Sequence, residues 1–430
     1  MADIDDRGTQ RPPPRRGRRT FIVGAAGLAG LAASPPHAAA LVAGSTDADD
    51  TPERAGSTPA DGSPESDGAA AAGRVPFHGR HQAGILTPQQ PFAAFVAYDV
   101  RCESRRELAA LLQKLTRRAR ALTAGLTPAD PAVAAVKGPQ DRLTITVGVG
   151  ASLFDERFGL ASAKPAGLDP MPAFRDDRLD EASCHGDLSV QICAQHPDAV
   201  LHVIRDLARE THGMLRTRWR VDGFLNPPRP AGAPRTFIGF KDGIAHPDLR
   251  SSRAADRLLW LGASAGGPAW TRNGCFQVLR TIRLHAEAWD KVPTREQERI
   301  LGRNKATGAP LTGRRESDLP AYEADPDGLR IPLDSHIRLA NPRTPETADS
   351  QILRRSYNVD RGLAPDGTLD LGLLFCCYQQ DIARQFAAVQ RRLEGERFAD
   401  FTSTTGGGYF FTLPGVRDSE DWFASGLLST

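Results

Sequence analysis

The sequence lacks the patterns that most readily assign a chain of this size. None of its six cysteines (Cys102, Cys184, Cys193, Cys275, Cys376 and Cys377) stands at the CxxC spacing of a zinc or dithiol redox site. They read as small buried hydrophobes, although spacing alone leaves one or two disulfides open. Past the N-terminus no apolar run is long enough to span a bilayer. Neither sign of charge dominates. Six Arg against three Asp in the first forty residues give +3 there, so with a net charge of +2 the remainder is near −1. A near-neutral body excludes a general nucleic-acid or membrane-surface binder. No internal sequence repeat is visible. What is present, 430 residues of which 40% are hydrophobic and 25% charged, suffices for one large core or two ordinary ones.

The N-terminus reads as an address. Arg18-Arg19-Thr20-Phe21-Ile22 opens an apolar, Gly/Ala-rich stretch that Ser34-Pro35-Pro36 breaks, and Ala38-Ala39-Ala40 supplies small residues for a peptidase. Charged, apolar and small-residue regions in that order form an export signal. The paired arginines make it the twin-arginine type over residues 1–40, which places the protein in a periplasm or on the outer side of the cell envelope. The alternatives are a basic tail or an uncleaved anchor. Residues 41–74 have almost no large apolar side chains and read as a disordered linker.

The body begins near Val75. Pro91–Tyr98 is a strand candidate, and Ser104–Leu122 a helix with Leu108, Leu111, Leu112 and Leu115 on one face. Strands over Leu143–Val149 and Gly186–Ala194, a helix over Pro197–Thr211 and a strand over Arg216–Phe224 follow. This order is the split βαβ arrangement of a ferredoxin-like fold. The second half repeats it loosely: a strand over Cys275–Leu284, a helix with Trp289, a short strand or loop over Ser335–Leu339, a strand over Leu371–Tyr378, a helix over Asp381–Leu393 and a strand over Gly408–Leu413. Residues 302–330 read as a long loop. The expected fold is α+β, with ferredoxin-like halves over 75–238 and 239–430 and antiparallel sheets.

Three segments carry chemistry. Gly239-Phe240-Lys241-Asp242-Gly243 sets a carboxylate between glycines, which permits close approach of a flat ligand, or marks an ordinary Asp-Gly turn. His336, in Asp334-Ser335-His336-Ile337-Arg338, is an iron-ligand candidate or a packed histidine. Arg354-Arg355 follows eighteen residues later, and alone would be surface charge. Together, a histidine, a carboxylate and an arginine are the parts that hold a haem iron on one side and split a peroxide on the other.

These segments resemble the dye-decolorizing peroxidase family, in its exported deferrochelatase/peroxidase branch of bacterial iron-uptake systems. Further matching pieces are Phe77-His78-Gly79-Arg80-His81-Gln82-Ala83-Gly84-Ile85-Leu86-Thr87-Pro88, Ile352–Tyr357, Gly372–Phe375 and Gly406–Phe411. Ser356 stands where the family commonly carries glycine. The resemblance implies a dimeric α+β barrel type fold with haem b, one per chain, mainly in the C-terminal half. It makes His336 the proximal ligand, Asp242 the distal acid–base group and Arg354 the distal arginine. Gly243, Ile244 and Ala245 would lie against the haem, Asn341, Pro342 and Arg343 would line its proximal or propionate side, and Leu374 and Phe375 would pack the distal pocket. Asp400 would be the acidic residue near the ligand histidine. Trp219, Trp260, Trp270, Trp289 and Trp422 are relay candidates or packed aromatics. The resemblance further implies hydrogen peroxide and small organic reductants as substrates, a homodimer, an iron-uptake permease as partner, and no membrane span once the signal is removed. The competing readings are a deferrochelatase that releases iron and leaves the porphyrin intact, and a haem carrier, which has no use for Asp242 and Arg354.

Overall fold

The computed structural model describes residues 73–125, 141–262 and 267–429, so the expected export signal and nearly all of the linker lie outside the described residues. Each half is built as its residue pattern dictates. The N-terminal half runs β1 (Phe92–Val100), α1 (Arg105–Thr123), β2 (Thr144–Gly150), β3 (Leu188–Ala194), α2 (Pro197–Glu210) and β4 (Leu215–Phe224). Helix α1 starts where the Ser104 hydroxyl accepts the Glu107 N–H at 3.2 Å, while the Glu107 carboxylate takes the Glu103 N–H. It buries Leu108, Leu111, Leu112 and Leu115 on the sheet, each worth about 1.5–3 kcal/mol as area removed from water. Helix α2 opens with Pro197 at its first turn, where the missing N–H costs nothing.

The C-terminal half runs β5 (Cys275–Leu284), α3 (Thr294–Leu301), α4 (His336–Ala340), β6 (Leu353–Arg354), β7 (Tyr357–Leu363), β8 (Leu369–Gln379), α5 (Phe386–Leu393) and β9 (Thr402–Thr412). The sheet order is β5-β9-β2-β3-β1-β4-β7-β8-β6, and β5 also pairs with β8. The sheet therefore closes on itself. In the N-terminal half the first and third strands, β1 and β3, are central, as in a ferredoxin-like unit; with the two-residue β6 set aside, β5 and β8 hold the same places in the C-terminal half, and every ladder is antiparallel. The four N-terminal and five C-terminal strands join at narrow seams: three residue pairs between β2 and β9, and one, Phe224 with Asn358, between β4 and β7.

Alternation along the strands divides the side chains into two sets. Phe95, Cys193, Leu279, Leu374, Cys376, Tyr378 and Phe410 fill the barrel interior. Val96, Val147, Ile192, Val278 and Phe411 face outward into a second core, with α1 and α2 packed over the N-terminal half. All six cysteines are buried and free. No helix among the described residues is long and apolar enough to cross a membrane.

Three expectations need correction. Ser335–Leu339 is a helix, not a strand or loop: His336–Ala340 forms one short turn, with Ser335 O accepting the N–H groups of Arg338 and Leu339. The helix expected from Asp381 begins only at Phe386, because Asp381 and Gln385 spend their side chains on neighbouring backbone N–H groups. The last strand starts at Thr402, six residues before Gly408.

Candidate active site

In the N-terminal half the helices press directly on the sheet. In the C-terminal half a cavity of about 440 Å³ lies between the outer face of β5, β6, β8 and β9 and the segments bearing α4 and α5. Its walls include Ile282, Leu284, Ile352, Leu373, Phe375, Val389 and Leu393.

Asp242 reaches this cavity from a tight hairpin. The Thr236 N–H donates to Phe240 O and the Asp242 N–H to Pro234 O. Lys241, next to it, is pinned by Glu316 at 2.5 Å and by Ala231 O. Gly243 has φ 82°, a left-handed conformation that favours glycine. The Asp242 carboxylate accepts from Arg354 Nη1 at 2.5 Å. Burial alone would raise its pKa, but the Arg354 charge, the Gly243 N–H and the Arg354 hydrogen bond outweigh it and hold the carboxyl below its usual range. Arg354 and Arg355 sit next to each other yet serve opposite faces. Arg354 lines the cavity, while Arg355 is buried and donates to Thr87 O and Gln90 Oε1.

His336 opens α4 and lines the same cavity. Arg338 anchors that turn through Asp325 O and Ile331 O, and Arg392 of α5 reaches Leu339 O and Ala340 O. The His336 Nδ1 lies 2.8 and 3.0 Å from the two Glu396 oxygens. A Nδ1–H donated to that carboxylate leaves Nε2 as the free lone pair. Burial disfavours the imidazolium, but the Glu396 charge and hydrogen bond prevail and raise the His336 pKa. Phe398 meets the ring edge-on at 5.9 Å.

The structure brings Asp242, Ile244, Ala245, His336, Asn341, Arg343, Arg354 and Phe375 to one cavity. Gly243 and Pro342 are not among its lining residues. Leu374 faces the barrel interior, completely buried, because adjacent strand residues point to opposite faces; Leu373 takes the cavity side with Phe375. Asp400 is exposed, and Glu396 is the carboxylate at the histidine. Trp219, Trp260, Trp270 and Trp289 are all buried, so only Trp422 is partly open. Sequence reading missed Glu396, whose only local signal is a Gly395 turn, and His246, which lines the same cavity.

The donor set suits one particular group. Among the described residues no cluster of three or more His, Cys, Asp and Glu side chains could hold a bare metal ion. Of the two imidazoles that line the cavity, His336 is the one whose Nδ1 is held by a carboxylate, and with one such ligand an iron held there would have to bring its other ligands with it. The apolar walls and the facing Asp–Arg pair fit a haem. Fold and site thus define a haem-dependent peroxidase.

Comparison with known proteins gives the family. Residues 82–225 match the model described as Dyp-type peroxidase, N-terminal, and residues 233–417 that described as Dyp-type peroxidase, C-terminal. The chain belongs to the Dyp-type peroxidase family. It is 46% identical over 367 residues to the deferrochelatase of Escherichia coli strain K12, covering 82% of this chain and 87% of that one. Among solved structures, a DyP-type peroxidase from Cellulomonas bogoriensis is 36% identical with a TM-score of 0.76, covering 84% of this chain and 99% of that one. Ferric DtpA from Streptomyces lividans is 34% identical with a TM-score of 0.77 and the same coverage.

Proposed function

We propose that this protein reduces hydrogen peroxide and oxidises small organic donors such as phenols and dyes, with His336 as the iron ligand, Asp242 as the distal acid–base group and Arg354 as the stabilising cation. The observation that carries this is the Asp242–Arg354 pair lining the same cavity as a histidine whose far nitrogen is held by Glu396. Bound haem supplies the electrons for O–O cleavage and the sites from which organic donors are then oxidised. The residues do the rest. Asp242 takes a proton from one peroxide oxygen and returns it to the other. Arg354 keeps its charge throughout and stabilises the negative charge that develops as the bond breaks. Glu396 holds the His336 ring in orientation and increases its imidazolate character. Asn341 and Arg343 line the cavity where the carboxylate edge of a porphyrin would be met.

Export by the twin-arginine route to the periplasm or outer envelope, assembly as a homodimer and work beside an iron-uptake permease belong to the same reading. The Arg18-Arg19 segment supports the export route and the likeness to a deferrochelatase supports a place in iron uptake; the homodimer is what the family resemblance implies. That likeness also favours a second activity in the same pocket: release of iron from haem with the porphyrin ring intact.

One experiment separates the two. Haem-loaded protein, with Asp242→Asn and His336→Ala beside it, is given peroxide and a reducing dye aerobically, or haem alone anaerobically, and porphyrins are identified by mass spectrometry. Rapid dye oxidation with intact haem, lost in both variants, supports the peroxidase. Metal-free protoporphyrin formed without peroxide, with little dye turnover, supports iron release and sinks the first reading.

A further inference from the structure

We propose that His246 is a second distal acid–base group, sharing with Asp242 the proton that moves during peroxide cleavage; this rests on the distal role given to Asp242 above. His246 lies four residues beyond Asp242 and lines the same cavity. Its side chain is open to that space. Its Nε2 lies 3.6 Å from where a Cβ at position 243 would stand, which places the ring against the turn that carries Asp242. The charged groups that act on it are Arg354 and Asp242.

Asp242 is poorly placed to act alone. Its carboxylate is engaged by Arg354 and by the Gly243 N–H, and contacts that favour the anion make it a weaker base. His246 has no ion pair among the described residues. Burial first, then the Arg354 charge, push its pKa down to about 4, against the opposing pull of Asp242 and the Gly243 backbone. Above that pH the ring is neutral and able to accept a proton. In the step, a proton leaves one peroxide oxygen for the imidazole or the carboxylate and returns to the other oxygen, which departs as water. The two electrons for cleavage come from the haem. Asp242 offsets the transient imidazolium charge, and Arg354 favours its prompt release.

The test uses haem-loaded wild type, His246→Asn, His246→Gln and Asp242→Asn, mixed with peroxide in stopped flow from pH 3 to 8. Histidine-labelled apoprotein is titrated by NMR over the same range. The expected result is a fall of about 100-fold in the peroxide rate constant of both His246 variants above pH 5, shrinking as the pH falls through 4. The His246 resonance should titrate near pH 4, and lower still in Asp242→Asn, which loses a favourable charge. Wild-type rates and profile in both His246 variants, or a resonance with an ordinary histidine midpoint indifferent to Asp242→Asn, overturn the proposal and leave the Asp242 role standing. Loss in the His246 variants with Asp242→Asn unaffected leaves His246 as the base and removes Asp242 from that role.

Discussion

Glu396 and Asp242 are two carboxylates given opposite tasks by their partners. Glu396 holds an imidazole, and Asp242 holds a guanidinium. Replacing Glu396 by Gln removes the charge that raises the His336 pKa. The expected result is a higher ferric/ferrous midpoint potential by spectroelectrochemistry and a peroxide rate about 10–100-fold lower; an unchanged potential would mean Glu396 only fills space. Asp242 sets the lower of two acid limits. Its pKa is depressed, so the carboxylate persists below the usual range, and the part of the activity that needs it survives the acid in which His246 becomes protonated, falling as pH drops through that depressed value. Arg354→Leu removes the leading cause of the depression. The acid limb of the kcat/KM profile should then move to higher pH, whatever the loss in overall rate, and a limb that stays in place would assign it to another group. Leu374 and Phe375 show how one residue of register separates stability from function. Leu374→Ala should cost about 2–5 kcal/mol in denaturant unfolding with the haem spectrum unchanged, because Leu374 faces the barrel interior. Phe375→Ala should alter the spectrum, because Phe375 lines the cavity.

Elements differ in how plainly their residues announce them. Strands such as Thr144–Gly150 and Cys275–Leu284 and the leucine stripe of α1 were legible because burial on one or both faces writes a period into the chain. Strands β6 and β7 went unread. The first is two residues long, and the second runs out through exposed Asp360-Arg361-Gly362, where no buried face imposes a pattern. Helix α4 is five residues, too short for a helical period to appear. Asp242, Arg354 and His336 stood out through motif and spacing. Glu396, sixty residues from His336, had only the Gly395 turn beside it as a local signal, and that says nothing of the histidine, since only the return of the chain after α5 brings the two together. Glycines carry a different message. At Gly407, φ is 131° and a Cβ would meet Leu279 O at 2.0 Å. Gly407→Ala should therefore push β9 off β5, the strand that supplies Arg280, Ile282 and Leu284 to the cavity. The expected cost is about 3 kcal/mol or more, read as a lowered unfolding midpoint together with weakened haem retention; full stability would show that the two strands can part without loss.

The whole molecule depends on two half-sheets behaving as one barrel, although few ladder bonds join them. The joining falls to side chains from the segment before β1. Gln82 donates to Val147 O and Leu413 O and accepts the Val147 N–H, all within 2.8 Å, and so stitches β2 to β9. Gln89 reaches Ser356 O, and Gln90 accepts from Arg355 while donating to Arg142 O and Thr144 Oγ1. A strap from the N-terminal half adds Asp177, whose carboxylate forms a buried ion pair with Arg280 of β5 and which also lines the cavity. The cavity thus draws on both halves, and its shape depends on the seams staying closed. Gln82→Ala leaves three buried backbone groups short of a partner at one seam. Each such loss costs about 1–3 kcal/mol, but Val147 O also accepts the Leu413 N–H, so the expected total is roughly 2–5 kcal/mol. Because the seam is shared, the loss should appear as one cooperative transition at a lower midpoint, with secondary structure and haem absorbance changing together. Two separated transitions, the haem signal surviving the first, would mean that the C-terminal half keeps its cavity without the N-terminal half closed against it.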